Sequence, residues 1–224
     1  MSELQPLFSH AVKLAMVAVL AGLVVRGRLR LCWSFAAYML AALVGNSLAS
    51  FWPDRFFTPS FYVLKQGVYD ILKMAIALEL AWRAFEAFPG ALRTARLALL
   101  ALLVASTVAL AAFTPLSSYD TIWEWEPGTA TAGLWLLTGT ALLVVWYQVP
   151  IHEWQRAIML GLPLYQLAFV IALDLLGRHG WAVMHAVTSL LDSAAYLALV
   201  TFWAWAVWRR DPAAEATALA AKPA

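Results

Sequence analysis

The sequence predicts an all-α fold, a polytopic transmembrane bundle of seven helices. Three observations predict it. Of 224 residues, 63% are hydrophobic and only 12% are charged, roughly half the charged share of a soluble domain. That is too little polar surface to cover a globule in water, so lipid must cover much of the chain. The apolar residues fall in runs close to the length of about 20 that crosses a bilayer core of about 30 Å. The bends between the runs also alternate in charge, as loops on opposite sides of a membrane do.

The first run, Leu7–Arg26, has no basic residue before Lys13. It ends in Arg26-Gly27-Arg28-Leu29-Arg30 where a signal peptide would carry a small-residue cleavage site, so it reads as a retained span. The second, Leu31–Phe51, stops before Pro53. The third, Ser60–Phe88, starts behind Pro59 and ends at Pro89-Gly90, and the fourth, Ala91–Phe113, ends before Pro115. The fifth, Ala130–Val149, follows Pro127-Gly128, and the sixth, Ile151–Leu176, opens behind Pro150, where a missing amide is harmless. Pro163 should kink this sixth helix. The seventh is Trp181–Arg209. Residues 1–210 thus make one transmembrane domain, and the alanine-rich residues 211–224 make a flexible cytoplasmic tail.

Bends holding Arg26, Arg28 and Arg30, then Arg93 and Arg96, then Arg156, then Arg209 and Arg210, fall on one side. Asp54 with Arg55, then Asp120, Glu124 and Glu126, then Arg178, fall on the other. The positive-inside rule places the N-terminus outside and the C-terminus in the cytoplasm. Tryptophans near both sets of helix ends, such as Trp33, Trp82 and Trp208 on one side and Trp52 and Trp181 on the other, read as interfacial anchors. The net charge of +2 sits in short bends, which argues against nucleic-acid binding. The single cysteine, Cys32, permits no internal disulfide and reads as a packing residue.

A faint repeat is visible. Val24-Val25 and Met39-Leu40 recur as Val144-Val145 and Met159-Leu160, and with a shift of two Asp70 falls on Asp192. This suggests two parallel three-helix units joined by the fourth helix, a 3+1+3 plan.

The candidate site is the set of ionisable and polar residues inside the spans. Lys65, Gln66, Tyr69, Asp70 and Lys73 cover one arc of the third helix. A central Lys or Asp costs about 2.5–3.5 kcal/mol on insertion scales, so the arc should face protein or water. His185, Ser189, Asp192 and Tyr196 share one face of the last helix by steps of four, three and four. Asp70 and Asp192 fall at similar depth, with Asn46, Tyr165 and Gln166 at comparable heights and His10 and Lys13 on the same side. Two readings follow: a ligand pocket open to the outside, or interhelical glue such as a Lys73–Asp192 pair. Glu79 and Arg83, spaced i,i+4, read as glue or as interfacial snorkelling.

Several chemistries are disfavoured. A retinal Schiff base needs a lysine in the last span, which has none. The four histidines His10, His152, His179 and His185 show no metal-binding spacing, and a His10–His185 haem pair has little to recommend it. Ser189 and Ser193 lack a nucleophile elbow, and no phosphate-binding glycine loop occurs. No cofactor, metal or catalytic residue is expected.

The basic bend Arg26–Arg30, the run Trp33-Ser34-Phe35-Ala36-Ala37-Tyr38, the Glu79 to Arg83 helix end, Pro89-Gly90 before Arg93, and a tryptophan-rich last helix ending in Arg209-Arg210 together resemble uncharacterised small seven-helix integral membrane proteins of bacteria. The resemblance implies a bacterial inner-membrane setting and no activity. The plan is also similar to that of 3+1+3 sugar transporters, but the first run, Leu7–Arg26, holds no proline and so lacks their proline-glutamine signature. With no catalytic motif, a small-ligand sensor or a subunit of a membrane assembly is the leading expectation. A secondary transporter of a small polar solute, proton-coupled or not, comes next, and an intramembrane enzyme third. The expected partners are the bilayer, a protein in the membrane and a small polar ligand.

Overall fold

A computed structural model describes residues 4–56, 58–85, 119–146 and 151–209. Among them are seven α-helices and one 3-10 turn: α1 (Leu4–Val25), the turn Arg28–Leu31, α2 (Trp33–Phe51), the single-turn α3 (Pro53–Phe56), α4 (Pro59–Phe85), α5 (Tyr119–Trp146), α6 (Glu153–His179) and α7 (Trp181–Trp208). The expected fourth span, Ala91–Phe113, and the tail from Asp211 lie outside the described residues.

Four stretches are long and apolar enough to cross a membrane: Leu7–Val25, Trp33–Phe51, Glu153–His179 and Ala186–Trp208. They mark the chain as a helical membrane protein. Helix α4 has the length, at 27 residues, but carries Lys65, Asp70, Lys73, Glu79 and Arg83. The apolar part of α5, Ala130–Trp146, is shorter than a full span.

Most helix ends fall within three residues of the expected positions; α5 does not. Its helix starts at Tyr119 and runs through Pro127-Gly128, where a loop was expected. Helix α1 takes Pro6 into its first turn, a position that needs no amide donor. Helix α6 opens on His152 and not on Pro150. His152 Nδ1 accepts from Trp154 N at 3.0 Å and Gln155 Oε1 accepts from His152 N at 3.2 Å, a reciprocal cap.

The long helices form a ring in which each packs on the next: α1, α2, α4, α5, α6, α7, and back to α1. Their directions follow from specific contacts. Ser34, near the start of α2, bonds Glu79, near the end of α4, so these two are antiparallel. Arg26 donates to the Trp208 carbonyl at 3.1 Å, which puts the ends of α1 and α7 together and makes them parallel. Gln166 of α6 touches the Ala130 carbonyl of α5. If α5 and α6 were parallel, Trp146 and Glu153 would stand about 44 Å apart. The six intervening residues reach about 25 Å at most, so α5 and α6 are antiparallel. It follows that α4 and α5, consecutive among the described helices, run in the same direction.

The core sits where α2, α6 and α7 meet. The Phe35 ring stands edge-on to Trp154 (5.3 Å) and Trp203 (4.7 Å), and all three are fully buried. Met16, Val19 and Leu23 of α1 close the apolar side. Three glycines permit the close helix approaches: a Cβ on Gly22 would lie 2.5 Å from Val207 Cγ1. A Cβ on Gly161 would lie 2.7 Å from Leu199 Cδ1 and 2.9 Å from Trp203 Nε1, and a Cβ on Gly45 would lie 2.6 Å from the Tyr69 hydroxyl. Small residues at such crossings are the usual basis of helix association in lipid.

The end of the bundle that carries Arg26–Arg30 is tied by charge. Helix ends leave backbone groups unpaired, and here side chains satisfy them. Arg28 donates to the Ala206 and Arg209 carbonyls at 3.1 and 3.0 Å, and with Arg26 closes the C-terminus of α7. Glu79 of α4 accepts from the amides of Trp33 (3.1 Å) and Ser34 (2.9 Å) and from the Ser34 hydroxyl (2.6 Å), so a carboxylate caps α2 from another helix. Arg83 holds Glu79 at 3.0 Å and donates to the Arg30 carbonyl at 2.8 Å. Glu79 and Arg83 are therefore glue. Cys32 lies under this clamp, 1% exposed, with its thiol toward Glu79. Burial, and after it the Glu79 charge, pushes that thiol up to about 12, so it stays protonated and unreactive.

Candidate functional site

Four helices supply the walls of a cavity of about 130 Å³. In α4 the spacing 62, 66, 69, 73 places Tyr62, Gln66, Tyr69 and Lys73 along one stripe. Helix α2 adds Tyr38 and Asn46, α6 adds Tyr165 and Phe169, and α7 adds Tyr196. Gly45 lets the Tyr69 hydroxyl reach past it to the Ala42 carbonyl, at 3.3 Å. Asp70 and Asp192 each lie eleven residues from the start of their helices, about 16 Å along the axis. Equal depth brings both to the same level of the bundle.

The charges are gathered and mutually satisfied. Lys73 Nζ lies 2.9 Å from Asp70 Oδ1, with side chains 8% and 13% exposed. Gln66 Nε2 also donates to Asp70 Oδ1, at 3.5 Å. Asp192 Oδ1 accepts from the Tyr165 hydroxyl at 3.1 Å. Each carboxylate is thus bonded to a side chain of the cavity wall. The lysines also rest on rings: Lys73 stands 5.7 Å from the Phe169 centroid, and Lys65 stands 5.3 and 5.8 Å from those of Tyr62 and Tyr69. The tyrosines touch one another as well. The Tyr38 and Tyr196 hydroxyls are 3.5 Å apart, and the Tyr165 and Tyr196 rings are 5.2 Å apart.

Of the residues expected at the site, Gln66, Tyr69, Lys73 and Tyr196 line the cavity, while Lys65, Asp70 and Asp192 stand behind its walls. Ser189 is half-buried on α7, one turn from Asp192 and away from the lining. The His185 side chain lies outside the described residues. Asn46 and Tyr165, expected only at a comparable height, are in the lining. Gln166 is not: it turns to α5, donates to the Ala130 carbonyl at 3.3 Å and is 2% exposed. His10 is exposed on α1, while Lys13 is buried with its ammonium 5.3 Å from the Phe51 ring, away from this cavity. Tyr38, Tyr62 and Phe169 were missed. Each had a spacing signal: Tyr62 is four before Gln66, Phe169 four after Tyr165, and Tyr38 eight before Asn46.

The cavity can hold a small molecule between aromatic faces, with an ammonium and two amides to orient it. Comparison with known proteins finds no match for this chain among family models, curated proteins or solved structures.

Proposed function

We propose that this chain is a seven-span protein of a bacterial inner membrane that binds a small polar ligand in the cavity between α2, α4, α6 and α7, and serves as a sensor or as a subunit of a membrane assembly. The observation that carries this reading is one cavity lined from four helices by Lys73 and six aromatic rings, with Asp70 bonded to Lys73 and Asp192 to Tyr165 behind the wall. Structural glue alone accounts for an ion pair; it does not account for space kept among paired groups.

Helix directions support the seventh span. The parallel directions of α4 and α5, the described helices on either side of the expected fourth span, favour an odd number of crossings in all. The arginine-rich end is cytoplasmic on the positive-inside rule, which puts the N-terminus outside. Since Arg26 and Arg28 are engaged by α7 carbonyls, a partner would meet Arg30 or Arg156 on that side.

A second reading, secondary transport, is favoured by one observation: Asp70 and Asp192 lie at the same depth, each eleven residues into its helix, and each is bonded to a residue of the cavity wall, Lys73 and Tyr165. The two readings separate in one pair of experiments. As a subunit, the protein purified in mild detergent carries a stoichiometric partner, and proteoliposomes show no solute or proton flux. As a transporter, it sustains flux that Asp70→Asn or Asp192→Asn abolishes.

A further inference from the structure

We infer that the cavity selects a small organic anion, a monocarboxylate with a compact, flat apolar body; this rests on the ligand-binding reading above. The charge on the wall sets the sign. Lys73 is the charged side chain in the lining, while the Asp70 and Asp192 carboxylates stand behind it, held by Lys73 and by the Tyr165 hydroxyl. An organic cation is disfavoured although the site is rich in tyrosine. Three of the six rings in the lining already carry the protein's own ammonium groups, Lys73 on Phe169 and Lys65 on Tyr62 and Tyr69. A second cation there meets like charge at close range.

A neutral polyol is disfavoured for a different reason. Recognition of several hydroxyls needs a grid of available donors and acceptors. Here three of the five tyrosines in the lining spend their phenol hydrogens on the protein: Tyr165 donates to Asp192, Tyr69 to the Ala42 carbonyl and Tyr38 to Tyr196. Size completes the description. The volume of about 130 Å³ is close to the roughly 150 Å³ of a protein cavity that holds benzene, so a single six-membered ring bearing a carboxylate is near the upper limit.

Three probes of nearly equal shape and different charge test this on the full chain in nanodiscs: benzoate, benzamide and benzylammonium, measured by calorimetry. The expected order is benzoate tightest, with Kd about tenfold below that of benzamide, and benzylammonium weakest. Asp70→Asn gives a sign that a purely structural role would not. It removes the internal competitor for Lys73, so benzoate binding tightens several-fold while benzamide is unchanged. Lys73→Arg keeps the preference and Lys73→Met loses it. Tighter binding of benzamide or benzylammonium overturns the anion assignment and leaves a ligand cavity standing. So does weaker benzoate binding in Asp70→Asn. No binding by any of the three overturns the assignment, and the ligand-binding reading falls with it only if the cavity also proves closed to water-soluble reagents.

Discussion

Glu79→Ala is expected to destabilise the protein by about 3 kcal/mol, on the order of a 10 °C fall in Tm for a chain of this size. The carboxylate accepts two α2 amides and the Ser34 hydroxyl, and it balances Arg83. Losing a helix cap costs about 1 kcal/mol. The charge-assisted bonds add more, and Arg83 is left beside the membrane with one carbonyl. The group is partly exposed, with 20% of its side-chain surface accessible, which keeps the loss below that of a fully buried pair. Glu79→Gln retains an acceptor for one amide and should lose roughly half as much. Thermal unfolding in detergent distinguishes the two. Equal stability of Glu79→Ala and wild type would mean that the cap is not made in the folded protein.

Gly161→Val should cost about 3 kcal/mol as well, and should also abolish ligand binding. A Cβ there already meets Leu199 and Trp203 below van der Waals distance, and a branched side chain adds two further carbons to the clash. Trp203 has no space to yield: it is fully buried, bonded to the Ala157 carbonyl at 3.3 Å and set edge-on to Phe35. Relief therefore comes from separating α6 and α7. That separation breaks the Tyr165–Asp192 hydrogen bond and the Tyr165–Tyr196 contact, which belong to the same pair of helices. Gly161→Ala should lose about half as much stability. Calorimetric binding together with a melting curve reads both effects, and a stable Gly161→Val variant with unchanged binding would refute the packing described here.

Much of this is legible before any coordinates. The helices are announced by apolar length and proline, and the inward turn of Asp70 and Lys73 follows from the cost of placing them in lipid. The equal depth of Asp70 and Asp192 comes from counting residues. Three things are not legible. Pro127-Gly128 looks like a loop, yet helix α5 continues through it from Tyr119, since local propensity yields to tertiary context. Tyr38, Tyr62 and Phe169 look like ordinary lipid-facing or core aromatics, because an uncharged ring carries no insertion penalty to betray its direction. The role of Glu79 is hidden for another reason: its partner is the start of a helix more than forty residues away, and no spacing rule reports on a backbone amide so distant.

The central claim, that the space among Lys73, the two aspartates and the tyrosines is a water-filled ligand site reached from the outer side, has a direct test. Cys32 is buried and its thiol is pushed up to about 12, so the native chain gives almost no thiol background. Asn46→Cys places a new thiol on the cavity wall. In intact right-side-out vesicles, a charged, membrane-impermeant methanethiosulfonate should label Cys at position 46 within minutes, and a bound ligand should slow that labelling. No labelling from the outside, with full labelling after denaturation, would contradict the account and leave the polar residues as packing between helices.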